Sequence, residues 1–226
     1  MGTSPRIFAH RGFHSPFSKH SESSLAAYMA AIDVGADGFE CDIRLTQDHE
    51  IVIWHDSTLQ RIANNSARIS KSTLAQLRSI CPIMTLDELL DLAIAHKKDL
   101  AIETKHPVRY RRAIEKALAR LLDSRIVEIK KSGIQIYMMS FSWWATSYNS
   151  QSKFIGTFLV RSRAFLPLAR FATSGLNIQI LREGYIPPDP SKILVWTVNE
   201  QADIELCKKL GVQVIITDNV RLAKSV

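Results

Sequence analysis

Residues 38–59 read GFECDIRLTQDHEIVIWHDSTL and set Glu40, Asp42, His55 and Asp56 within one strand-like stretch. Side chains two apart on a strand share a face, so Glu40 and Asp42 lie together, opposite Phe39, Cys41 and Ile43. The following apolar run ends in His55-Asp56. Two more pairs have the same setting. RIFAH ends in His10 and is followed by Arg11-Gly12, while LAIETK carries Glu103 and Lys105, again two apart. Three carboxylates without a cysteine make an oxygen-ligand set, which suits a hard divalent cation, Mg²⁺ or Ca²⁺, better than zinc. Arg11 and Lys105, aimed at the same region, add charge suited to a phosphate. His10 and His55 complete a pair able to exchange protons near neutral pH. Taken singly, each pair also has a plainer reading: a solvated strand face, a turn, an ion pair between Glu103 and Lys105. What joins them is that all four fall at the ends of apolar runs.

The elements that must position them are a series of short strands with helices between. Strand candidates are 6–10, 38–45, 51–55, 100–104, 134–141, 154–160, 176–180, 193–198 and 214–217. Several are near-continuous apolar runs, which fits strands covered on both faces. Leu25, Tyr28, Met29 and Ile32 follow helical spacing, with Gly35 as a stop. Thr85 and Glu88 make a capping-box signature. Residues 109–131 read as one basic helix ending at Gly133, and Asn199 as the cap of a helix running to Lys209. This alternation implies parallel pairing with right-handed crossovers. At 226 residues, a single-domain α/β (β/α)₈ TIM barrel is the expectation, since such barrels run to about 200–250 residues. No glycine-rich loop follows the first strand, which weighs against a doubly wound nucleotide-binding sheet. Nine candidates for eight barrel positions leave one extra: an arm of the 38–55 hairpin outside the barrel, or an irregular 176–180 run. In a barrel the four pairs would meet at the C-terminal ends of the strands, where barrel chemistry sits.

Net charge is +7, from 29 Lys and Arg against 22 Asp and Glu. Nine basic residues face three acids between Thr104 and Lys131, and 154–182 carries no acid at all. Such charge favours phosphates, nucleic acid or an acidic membrane surface, and a solvated basic face explains the same pattern. No nucleic-acid-binding motif accompanies it, so nucleic acid is not an expected partner. Cys41, Cys81 and Cys207 are odd in number and far apart, lack metal-site spacing, and fit a reduced interior. MGTSPRIFAHRG runs directly into a strand, and no uninterrupted apolar run reaches ~18 residues. A soluble, cytoplasmic protein is the expectation.

AHRG, ESS, FECDIRLTQDHEIVIWHD, PIMTLDELL, AIETK, SF, VWTVNE and GVQVIITDN together resemble the glycerophosphodiester phosphodiesterase family, in order from residue 8 to about 219. The resemblance implies a (β/α)₈ barrel that uses a divalent cation to hydrolyse glycerophosphodiesters to glycerol 3-phosphate and an alcohol. By position it implies Glu40, Asp42 and Glu103 as metal ligands and His10 and His55 as general acid and base. It implies Arg11 and Lys105 on the phosphate, Glu22 as a supporting acid, and Phe141 and Trp196 along the pocket, although core packing would account for both aromatics equally well. Where the family commonly has Pro-Glu-Asn-Thr this chain has Ser21-Glu22-Ser23-Ser24, and Asp48-His49 replaces a common Asp-Gly turn. The 142–190 stretch matches least. Within it, Trp143 to Arg182 should form βα loops on the rim of the barrel's C-terminal face, where Arg161, Arg163 and Arg170 beside Phe165, Leu166 and Phe171 would suit an anionic membrane surface, although core aromatics and solvated arginines would give the same composition. Rival readings are a lysophospholipase D-type or sphingomyelinase D-type enzyme on the same barrel, and a non-catalytic phosphate-binding protein.

Overall fold

The computed structural model describes residues 4–106, 112–149, 153–171 and 173–226; side chains of residues 148–149 and 168–171 lie outside that description. Its strands are β1 (Arg6–His10), β2 (Gly38–Leu45), β3 (Ile51–Ile53), β4 (Asp99–Thr104), β5 (Ile136–Ser140), β6 (Ile155–Val160), β7 (Thr173–Asn177), β8 (Ile193–Trp196) and β9 (Val214–Thr217). Eight of them pair in parallel around a closed circuit, in the order β1, β2, β4, β5, β6, β7, β8, β9 and back to β1. The extra strand is β3, which runs antiparallel to the far end of β2 with Ile43 opposite Ile53. The hairpin arm is therefore the one that leaves the barrel. It covers its own small core of Val52, Trp54, Leu59, Ile69, Leu77 and Ile83.

Strand alternation divides the core in two. Ile7, Ala9, Phe39, Cys41, Ile43, Leu100 and Ile102 pack outward against the helices. Phe8, Ala101, Tyr137, Met139, Leu159, Leu194, Val214 and Ile216 fill the lumen. At the N-terminal end, Arg6 closes the floor through Asp99, Tyr137 and Gln135, the last at 2.8 Å from Nη2. Among the described residues the lumen is a packed core, as expected of a small barrel.

Several local expectations are modified. The first helix, Leu25–Asp33, buries Ala27, Tyr28 and Ala31, while Leu25 and Met29 face solvent. Small residues let the helix lie close to the strands, so of the four large apolar residues Tyr28 and Ile32 mark its inner face and Leu25 and Met29 do not. Residues 109–131 do not form one helix: Ala113–Ser124 and Ile126–Ser132 are separated at Arg125. Residues 176–180 straddle the end of β7 and a short helix, Ile178–Arg182. Glu200, not Asn199, precedes the helix Gln201–Leu210. The Thr85–Glu88 capping box is present. In the 46–50 turn His49 adopts φ 65°, the left-handed region that glycine takes more readily. The Thr46 hydroxyl accepts from Glu50 N at 2.9 Å, and Asp48 accepts from Leu74 N at 3.1 Å, so side-chain bonds hold the turn.

Candidate active site

The inward alternation of the strands continues past the lumen core into the polar residues at their C-terminal ends. Phe8 is followed on its face by His10, Ala101 by Glu103, and Ile216 by Asp218. Gly38 is followed by Glu40, Asp42 and Arg44 on the same principle. Parallel register sets His10 beside Glu40, and Asp42 beside Glu103. One pleat rule thus gathers side chains from four strands onto one floor. Glu40, Asp42 and Glu103 are all buried, and oxygens from the three lie within 4.8 Å of one another.

The basic residues close on this floor from two sides. Arg11 Nε stands 2.8 Å from Asp42 Oδ2, and Lys105 Nζ stands 2.9 Å from Asp42 Oδ1 and 2.6 Å from Glu103 Oε1. Glu22 supports Arg11 with a 3.2 Å bond to Nη1, and is itself gripped by Arg61 at 2.8 and 2.7 Å. Arg11 holds φ 55° and its N–H donates to the Glu40 carbonyl at 3.1 Å. Positive φ at a non-glycine costs of order 1 kcal/mol or more. Here it turns the guanidinium back over the strands.

Both histidines carry a carboxylate on Nδ1. His10 Nδ1 lies 2.7 Å from Asp218 Oδ1, and His55 Nδ1 lies 2.8 Å from Asp56 Oδ1. That bond fixes the tautomer and leaves Nε2 to accept or deliver a proton. His10 Nε2 is 3.8 Å from Glu40 Oε2. Asp218 is part of a network: Asn199 donates to it at 2.6 Å, and His14 Nε2 stands 3.3 Å away. Asn199 also accepts from Asp218 N at 2.9 Å, which is why it does not cap the following helix.

Charge in this cluster is strongly redistributed. Burial opposes ionisation of Asp42, but Lys105 and Arg11 outweigh it and hold Asp42 below the usual carboxylate range. Burial and then the charge of Asp42 raise Glu40 well above that range. The same two causes raise Glu103 to about 7, with Lys105 opposing them. Burial lowers His55 below its ordinary value, assisted by Arg11 and Lys105 against the pull of Asp42 and Asp56. Burial works against charge on Asp218 too, yet bonds from His10, His14 and Asn199 hold it far below a free aspartate.

A divalent cation fits these residues. Both Asp42 oxygens are buried and, despite the nearby cations, neither accepts an aligned hydrogen bond. Three carboxylates forced together repel one another, and a cation among them would relieve that repulsion. The donors are oxygens alone, the set that hard cations take.

Beyond the floor opens a cleft of about 430 Å³, lined by Arg44, His55, Glu103, Lys105, Phe141 and Arg161 among others. Phe141 borders it, whereas Trp196 packs edge-on against Phe141 at 5.5 Å and donates Nε1–H to the Gly175 carbonyl at 3.0 Å. Trp196 is not among the lining residues. His10, Arg11, Glu22, Glu40, Asp42, His55, Glu103 and Lys105 are thus brought together. Sequence reasoning placed none of Asp218, Asn199, His14 and Arg61 in the site, and read Asn199 as a helix cap. The signal for Asp218 was present: a polar residue directly after the apolar run VIIT, as His10-Arg11 follows RIFA. Arg61 left no signal, because it reaches Glu22 only through the fold of the excursion after β3.

The model of the Glycerophosphoryl diester phosphodiesterase family matches residues 10–160. A protein of Mycobacterium tuberculosis named "Probable glycerophosphodiester phosphodiesterase 1" is 31% identical over 241 residues, covering 92% of this chain and 87% of its own. A solved glycerophosphodiester phosphodiesterase of Thermotoga maritima superposes with TM-score 0.78 at 22% identity, covering 100% of this chain and 99% of that one. An Oleispira antarctica phosphodiesterase solved with its product sn-glycerol-3-phosphate gives TM-score 0.73 at 19% identity, covering 98% and 96%. The solved structures bear on the barrel. The family match and the mycobacterial relative reach further, and on their strength the chain belongs to the glycerophosphoryl diester phosphodiesterase family.

Proposed function

We propose that the protein hydrolyses glycerophosphodiesters to glycerol 3-phosphate and an alcohol on the floor formed by His10, Arg11, Glu40, Asp42, His55, Glu103 and Lys105. The observation that carries this is Asp42, a buried carboxylate bracketed by Arg11 and Lys105, with both oxygens still lacking an aligned hydrogen bond. Glu40, Asp42 and Glu103 would hold Mg²⁺ or Ca²⁺. When bound, that cation would neutralise phosphate oxygens and acidify the attacking hydroxyl, whether of the substrate's own glycerol or of water. Arg11 and Lys105 bind the phosphate and oppose the charge that grows on its oxygens. One histidine takes the proton of the attacking hydroxyl and the other gives a proton to the departing alkoxide. Asp218 and Asp56 hold the two rings with Nε2 turned to the reacting atoms.

The decisive assay measures glycerol 3-phosphate release from several glycerophosphodiesters with Mg²⁺, Ca²⁺, Mn²⁺ or EDTA. Loss of activity in EDTA and recovery with Mg²⁺ or Ca²⁺ is expected; full activity in excess EDTA would sink the metal assignment. Choline release from a lysolipid, with no turnover of glycerophosphocholine, would favour the lysophospholipase D-type reading. Cys41, Cys81 and Cys207 are all free thiols, which supports a reducing, cytoplasmic setting. A cleft that opens beside His55, Glu103 and Lys105, with both histidines tethered to carboxylates, favours catalysis over a phosphate-binding role.

A further inference from the structure

We infer that the cleft beside His55 selects diesters whose alcohol half carries a second anionic group, and that Arg161 determines this preference. The inference rests on the phosphodiesterase reading and refines its substrate.

A cleft of about 430 Å³ lies within the range of pockets that enclose whole small ligands, and a three-carbon glycerol does not fill it. The variable half of the substrate is the alcohol, and the cleft gives it room. What that alcohol meets is set by charge. The lining cations are Arg44, Lys105 and Arg161, and the lining acids are Asp56 and Glu103. Both acids are engaged: Asp56 is bound by His55 at 2.8 Å and Arg61 at 2.7 Å, and Glu103 by Lys105 at 2.6 Å. Lys105 is matched by Asp42 and Glu103. Arg44 spends Nε and Nη2 on the His55 carbonyl, at 3.0 and 2.7 Å. Arg161 is different. It is exposed, its guanidinium lies 4.9 Å over the Phe141 ring centroid, and no carboxylate pairs with it among the described residues.

Its place over the Phe141 ring holds the guanidinium at the cleft wall, and no hydrogen-bond acceptor among the described residues takes its N–H groups, which suit two-pronged recognition of phosphate or carboxylate. Ser142 adds a neighbouring donor, since its Oγ accepts only weakly from Ala145 N at 3.4 Å and keeps its proton to give. A quaternary ammonium would need an open aromatic face or a free carboxylate. Here the Phe141 face is covered by Arg161 and its ring meets Trp196 edge-on at 5.5 Å. The cleft therefore favours an anionic substituent and disfavours choline.

The test compares kcat/KM for glycerophosphoinositol, its ring-phosphorylated counterpart and glycerophosphocholine, in wild type, R161Q and R161K. Wild type should turn over the phosphorylated diester best and the choline diester least. R161Q should lower the ratio of phosphorylated to unphosphorylated diester roughly tenfold, the scale of one charge-assisted hydrogen bond; R161K should restore part of it. Raising salt should compress the wild-type ratio. An unchanged ratio in R161Q, an equal loss on all three diesters, or a wild-type preference for choline would each overturn the inference while leaving the phosphodiesterase reading standing. No turnover of any diester would overturn both.

Discussion

His10 and His55 each hold one nitrogen on a carboxylate and, in the proposed mechanism, turn the other to the reacting centre, so replacing either should damage chemistry more than folding. H10A and H55A should each lower kcat by roughly 10²- to 10⁴-fold, with the thermal transition of the apo-protein little changed. Near wild-type turnover in either variant would remove that histidine from the mechanism. Asp218 makes a different kind of demand. Its folded pKa is depressed, so its contribution to stability is present at neutral pH and is lost as pH falls below about 4, the ordinary aspartate value. Urea unfolding of wild type and D218N should show a gap at pH 6 that narrows towards pH 3; a constant gap would mean that the Asp218 charge is not what stabilises the fold. At this scale most of the floor was legible in the sequence, because i, i+2 spacing on a strand fixes a shared face whatever the tertiary context. His14 and Arg61 were not legible. Their contacts to Asp218 and Glu22 depend on how two connecting segments return over the barrel, which no local periodicity records.

The connection from β1 to the first helix shows how tightly an element constrains its motif. His10-Arg11-Gly12 needs its glycine for two reasons: φ is +81°, and a Cβ there would lie 2.8 Å from the Ala27 carbonyl carbon. Close approach of that helix is what lets the Phe13 N–H reach the Ala27 carbonyl at 2.9 Å. G12A should therefore cost roughly 2–4 kcal/mol of stability, combining left-handed strain with overpacking. Circular-dichroism melts would measure it, and an unchanged melting temperature would show that the loop relaxes. Every strand but β7 was legible to within two residues at each end, mostly from apolar runs, and β2 from the alternation of Phe39, Cys41 and Ile43 with Glu40 and Asp42. The helices were read less well. Alanines face the strands on Leu25–Asp33, and a break at Arg125 divides what charge pattern alone presents as one helix. Arg125 binds Asp91 at 2.5 Å and Glu128 at 2.7 Å, so a tertiary contact and a local one meet at the break.

At the scale of the molecule, the rim after β5 and β6 carries Trp144 at 71% exposure and Phe165 at 49%, beside the exposed Arg161 and Arg163. Among the described residues no helix is long and apolar enough to cross a membrane, so any lipid contact there would be peripheral. With about 1 kcal/mol per basic residue near an acidic leaflet, the rim should bind anionic vesicles weakly and neutral ones not at all. Co-sedimentation of wild type and W144S in low salt checks this, and equal recovery with both vesicle types would exclude an electrostatic dock. The side chains of Arg170 and Phe171 fall outside the described residues and add nothing to the estimate. The opposite end of the barrel carries a kinetic consequence. Arg6, Asp99, Gln135 and Tyr137 shut it, so on the proposed reading the cleft at the other end serves both ways: each spent phosphomonoester backs out along the path by which the next diester arrives. Glycerol 3-phosphate should accordingly raise the apparent KM without lowering kcat, and a fall in kcat at saturating diester would reveal a second resting place for the product. Turnover in a cell that accumulates its own product would then be throttled at the threshold, with no separate regulatory pocket required.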